Sequence, residues 1–195
     1  MHGLINRAIQ CFIRDSYGRE RWIEITHLAD LGFADFEAML HYDDAVTEAV
    51  LEAAARTLGV ARETVLEDIG TYLVSHPNVE ALRRLLRFGG VSFVEFLHSL
   101  DELPDRAKMA VDDLVLPQME LREFGGNRFS LTCHSPHKGF GHVMMGILRT
   151  LADDYGALVF LEHQGGKAGI EVIEITLIET AFAAGRSFEL GARAG

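Results

Sequence analysis

The sequence predicts an α+β fold, with a helical N-terminal lobe followed by an antiparallel sheet crossed by a helix. Three observations lead there. Apolar residues return at spacings of three and four through the first two thirds of the chain, the period of a helix with one buried face. From Pro117 onward the period changes to alternation, and the late segments are rich in β-branched residues. Gly and Pro fall mainly between the periodic segments, where they punctuate rather than interrupt.

Leu4, Ile5, Ala8, Ile9, Phe12 and Ile13 form the first helical stripe. A second helix is expected over Arg21 to Leu31, and a third over Ala45 to Leu58, with Asp43 or Asp44 as its N-cap and Gly59 as its stop. The fourth, Glu63 to Ser75, ends before Pro77 because a residue preceding proline avoids helical geometry. Asn78 is placed to cap Val79 to Phe88. Val91 to Leu103 puts Phe93, Phe96, Leu97 and Leu100 on one face until Pro104, which either kinks a continuous helix or begins a new one in its first turn, the second being easier energetically. Met119, Leu121 and Phe124, then Gly125-Gly126-Asn127, then Phe129, Leu131 and Cys133 read as a hairpin. A helix over Phe140 to Tyr155 follows, with Met144 and Met145 as core residues. Ala157 to His163 and Ile170 to Ile178, separated by Gln164-Gly165-Gly166-Lys167, read as a second hairpin.

Neither an internal repeat nor a long linker divides the chain, so one domain is expected over residues 1–183. Its helical part covers about 1–65 and its helix and sheet part about 66–183, and the Gly/Ala-rich residues 184–195 form a flexible tail.

Of 195 residues 48% are hydrophobic, far from the composition of a disordered chain. Eighteen Lys and Arg against 29 Asp and Glu leave a net charge of −11, which repels phosphate backbones and anionic lipid, so neither nucleic acid nor membrane is an expected partner. Two cysteines cannot build a disulfide framework, and no apolar run suits a leader or a membrane span, so a cytoplasmic location is expected.

Phosphate loops, nucleophile elbows and H-E-x-x-H are all missing from the sequence, and no nucleophile, base and orienting residue fall together. An enzyme is therefore not expected. His134, His137 and His142 crowd into the stretch from Cys133 to His142, but the spacing matches no familiar zinc pattern, and Cys133 and His134 would point to opposite faces of a strand. The stretch reads as a strand end and a turn before a helix. The N–H groups of that helix, with imidazole and hydroxyl donors, could hold a carboxylate or phosphate. His98, between Leu97 and Ser99, reads as a histidine at the core edge; His27, His41, His76 and His163 lie among polar or turn residues and carry no signal.

Several short motifs in order complete the reading. They are Met1-His2-Gly3-Leu4-Ile5-Asn6, Tyr17-Gly18, Trp22, Tyr42-Asp43-Asp44 and Glu67-Asp68-Ile69-Gly70, then Phe93 through Asp101, Pro117, Ser135, Gly139-Phe140 and Gly146-Ile147-Leu148. Together they resemble the heme nitric oxide/oxygen-binding (H-NOX) family over nearly the whole chain. The resemblance implies a helical lobe and a sheet-containing lobe that sandwich heme b, with a histidine as proximal iron ligand. Pro104 stands at that ligand position, in Leu100-Asp101-Glu102-Leu103-Pro104-Asp105, and Pro117 stands where the family has a heme-distorting proline. The family's Tyr-x-Ser-x-Arg set for the heme propionates falls on Cys133, Ser135 and His137, of which only Ser135 matches. Ile5, Val143 and Ile147 would line the distal face. With no tyrosine donor there, iron in such a pocket would prefer nitric oxide over oxygen.

The function implied is a stand-alone H-NOX-like sensory module with a degenerate heme site, binding heme weakly or not at all and signalling through a partner such as a histidine kinase or a cyclic-dinucleotide enzyme. Two alternatives stand beside it. One is a working nitric oxide sensor with a non-standard axial ligand, for which His98 lies about 9 Å earlier along a helix. The other is a binder of another apolar small molecule in the interlobe pocket.

Overall fold

A computed structural model describes residues 1–167 and 169–186. The chain divides into two compact units, residues 1–69 and the residues from Gly70 onward. Among the described residues no helix is long and apolar enough to cross a membrane.

The first unit holds α1 (Gly3–Tyr17), α2 (Arg19–Leu28), α3 (Asp44–Leu58) and the start of α4 (Arg62–Ser75). His2 opens α1, its Nδ1 accepting from the Leu4 N–H at 3.1 Å. Of the two aspartates expected to cap α3, Asp43 does so, accepting from the Ala45 N–H at 2.9 Å, and Gly59 closes the helix in the left-handed region. The second helix begins two residues earlier than expected, because Gly18 at φ 90° turns the chain straight from α1 into α2. It also ends three residues earlier, since Asp30 at φ 53° leaves helical geometry. The connection that follows is held by side chains. Trp22 Nε1 donates to the Ala34 carbonyl at 2.7 Å, Gln10 Oε1 accepts from the Phe36 N–H, and the Phe36 ring packs against Phe33 and Tyr42.

The second unit holds the rest of α4, then α5 (Glu80–Arg87), α6 (Phe93–His98), α7 (Leu103–Ala110), β1 (Gln118–Glu123), β2 (Arg128–His134), α8 (Phe140–Tyr155), β3 (Leu158–Lys167) and β4 (Ile170–Glu179). The strands form one antiparallel sheet in the order β1-β2-β4-β3. Alternation decides which residues face inward. Phe129, Leu131 and Cys133 of β2 join Ile173, Ile175 and Leu177 of β4 in one cluster with Met144, Leu148 and Leu151 of α8, and Met144 and Met145 are core residues as expected. The unit is therefore a sheet covered on one face by α8.

Three sequence expectations change here. His76, not Asn78, makes the capping bond after α4, accepting from the Asn78 N–H over a short 3-10 turn at Pro77–Val79; α5 starts at Glu80. Val91 to Leu103 is not one helix, since Ser92 caps α6, α6 ends at His98, and a 3-10 turn at Leu100–Glu102 leads into α7. Pro104 takes the easier of its two expected roles and sits in the first turn of α7, where its missing N–H has no intrahelical partner to lose. The second hairpin does not open into a loop at Gln164, because a bulge between His163 and Gly166 absorbs the glycines and pairing continues to Lys167 opposite Ile170.

The stretch after β4 returns to α8. The Ala183 N–H donates to the Gly156 carbonyl and the Arg186 N–H to the Asp154 carbonyl. Of the tail expected over residues 184–195, residues 187–195 lie outside the described residues.

Candidate functional site

Pro104 is buried in the first turn of α7, between the core residues Leu103 and Ala107. The turn is fixed from outside as well, because Arg106 Nη2 reaches back to the Ser99 carbonyl at 3.0 Å. Pyrrolidine in a peptide has no lone pair to offer and no N–H to donate. Pro117 is half-buried immediately ahead of β1.

At the other end of the sheet β2 delivers Cys133 to its inner face and His134 to solvent. The Cys133 thiol is pushed up to about 12, first by burial and then by the negative charge of Glu171, so it is a neutral thiol at physiological pH. Ser135 is buried; its N–H donates to the Gly169 carbonyl at 2.8 Å, and its hydroxyl oxygen accepts from the His137 N–H at 3.1 Å. His137 is half-buried. Thus Cys133, Ser135 and His137 are gathered at one strand end. Val143 and Ile147 stand one turn apart on α8, half-buried and buried respectively. Ile5 lies on α1 in the first unit and is half-buried.

His98 is placed differently. Its side chain is half exposed, its Nε2 lies 3.4 Å from the Glu123 carboxylate, and its ring meets Phe129 edge to face. This is a histidine at the rim of the core, paired with an acid on the sheet.

The structure adds a residue that the sequence reading passed over. Glu171 lies directly opposite Cys133 in the β2–β4 ladder and is buried. Its Oε1 accepts from the Gly139 N–H at 2.6 Å and its Oε2 from the Gly141 N–H at 2.9 Å, while His163 Nε2 stands 3.1 Å from Oε2. The His163 ring stacks on His142 with centroids 4.2 Å apart. The amides at the start of α8, expected to be available to an outside carboxylate or phosphate, are therefore already satisfied by this chain's own glutamate. His163, expected to carry no signal, is part of the same cluster. A signal for Glu171 exists in the sequence: alternation in β4 puts Ile173, Ile175 and Leu177 inward and carries Glu171 inward with them.

A Cβ on Gly141 would come within 2.5 Å of Glu171 Oε2 and 2.6 Å of His163 Nε2, so only glycine allows the carboxylate to lie flat on the helix end.

A protein-family model described as Haem-NO-binding matches residues 2–163. Soluble guanylate cyclase 89Da of Drosophila melanogaster is 22% identical over 177 residues, a match covering 87% of this chain and 26% of that protein. Soluble guanylate cyclase gcy-31 of Caenorhabditis elegans is 22% identical over 154 residues, covering 79% and 22%. The chain thus spans about a quarter of the length of the curated relatives it matches. Among solved structures, a variant H-NOX protein from S. oneidensis in the Fe(II) state superposes with a TM-score of 0.78 at 16% identity, over 92% of this chain and 97% of that one. The Fe(II) unliganded H-NOX protein from K. algicida gives 0.76 at 17% identity, over 92% and 97%. At these identities the superpositions establish a shared fold.

Proposed function

The chain belongs to the Haem-NO-binding family, a family of heme-based gas-sensor domains, and we propose that it is a regulatory module with a degenerate heme site, binding heme weakly or not at all and signalling through a partner protein. One observation supports this most strongly. Pro104, at the position the family resemblance gives to the iron ligand, is buried in the first turn of α7 and offers no ligating nitrogen. The residues at the propionate position agree with it. A protonated, buried Cys133 is a weak donor, and His137 offers a single imidazole hydrogen bond where the resemblance expects a two-pronged arginine. This donor set does not fit a histidine-ligated heme.

His98 does not supply the missing ligand in this reading, since it is half exposed and faces Glu123. Ile5, Val143 and Ile147 add only apolar surface. The module is not itself an enzyme. Its partner is a regulatory protein of the kind the family serves, a histidine kinase or a cyclic-dinucleotide enzyme, and its working compartment is the cytoplasm.

Hemin titration followed by gel filtration tests the reading, with the natural chain and Pro104→His side by side. The natural chain is expected to leave the column without a stoichiometric Soret band. A band that survives the column, and is lost in His98→Ala, would overturn the reading in favour of a displaced axial ligand.

A further inference from the structure

We propose that Glu171 is an internal carboxylate that occupies the anion-binding amides at the start of α8 and bars an acidic ligand from the turn that carries Ser135 and His137. The inference rests on the degenerate-site reading and deepens it, because it names which ligand chemistry the site refuses.

Four observations converge. Each oxygen of the carboxylate is taken by a backbone N–H of the helix end, Gly139 at 2.6 Å and Gly141 at 2.9 Å, so the donors an incoming anion would need are occupied. The His163 imidazole stands 3.1 Å from the same group, and His142 stacks on that imidazole from the helix side. Gly141 has no side chain to hold the carboxylate off. Finally, Glu171 pairs across the ladder with Cys133, two residues before Ser135, and the Cys133 thiol feels its charge. A carboxylate arriving beside Cys133 and Ser135 would meet a fixed negative charge and find the Gly139 and Gly141 amides already taken. Like charges brought together out of water are strongly disfavoured. A flat apolar ligand without acidic groups meets no such barrier.

Iron-free protoporphyrin IX and its dimethyl ester separate this from the question of iron ligation, since neither needs an axial ligand. Their binding to the natural chain and to Glu171→Gln is read by porphyrin fluorescence anisotropy. The natural chain is expected to prefer the ester over the diacid by about tenfold or more. Glu171→Gln is expected to gain about tenfold or more for the diacid, with its affinity for the ester unchanged. Equal affinity of the natural chain for ester and diacid would overturn the proposal. So would an unchanged diacid affinity in a Glu171→Gln protein whose circular dichroism and melting match the natural chain. If the variant does not fold, the ester-to-diacid ratio of the natural chain decides alone. A failure here leaves the Pro104 reading intact, because no iron is present, and a retained Soret band with hemin would overturn that reading without touching this ratio.

Discussion

Cys133 and Glu171 face each other across two strands, and the consequence for the thiol is measurable. Burial and the neighbouring carboxylate raise its pKa from 9.0 to about 12, so the folded protein keeps the proton where the unfolded chain loses it. The unfolded state then binds fewer protons between those values. Stability from this group is fully present below pH 9 and is lost as pH rises toward about 12. A denaturant series from pH 8 to pH 11 is expected to show a falling midpoint that Cys133→Ala flattens; an unchanged slope in that variant would contradict the assignment. At this scale the sequence was partly legible. Period-2 alternation correctly turns Cys133 inward and His134 outward. The contact between His163 and Glu171 had no local signature, since eight residues and a bulge separate them and the partners meet only after the ladder forms.

Elements were legible where a periodic stripe met a cap. The third helix is bounded by Asp43 and Gly59, residues whose chemistry suits the two ends, and Asp43→Ala is expected to cost about 1 kcal/mol in chemical denaturation. For α7 the sequence left Pro104 two roles, a kink or a start, and the proline lies in the first turn, where its missing N–H costs nothing. Packing between elements was not legible at all. Gly70 on α4 lies so close to the Val143 carbonyl of α8 that a methyl group would collide with backbone. Helix propensity favours Gly70→Ala by about 1 kcal/mol, whereas overpacking costs about 1–3 kcal/mol. A net loss of stability is expected, and a gain would show that the two helices can separate freely. Likewise Arg83 of α5 is paired with the buried Asp154 of α8 at 2.5 Å. Asp154→Ala leaves that guanidinium largely buried without its counter-charge and is expected to cost about 3–5 kcal/mol; a cost below about 1 kcal/mol would mean the pair is solvated.

For the molecule as a whole, the ordered motifs and the change of period were enough to read the fold class and the family; the superpositions bear out the fold and the matched family model bears out the family. The sequence also carried the substitution on which the functional reading turns. The family resemblance implied the ligand position for Pro104, and the structure shows that this residue is buried at the start of a helix rather than kinking one. A ligand that binds only the folded chain raises its melting temperature by mass action. Hemin at saturating concentration is therefore expected to leave the melting temperature of the natural chain unchanged, and a rise of several degrees would signal a working pocket. The most direct measurement is the visible spectrum of the protein purified from heme-replete cells. Absence of a stoichiometric Soret band is the outcome expected if the proposed degenerate site is right, and a full Soret band with one heme per chain would contradict it.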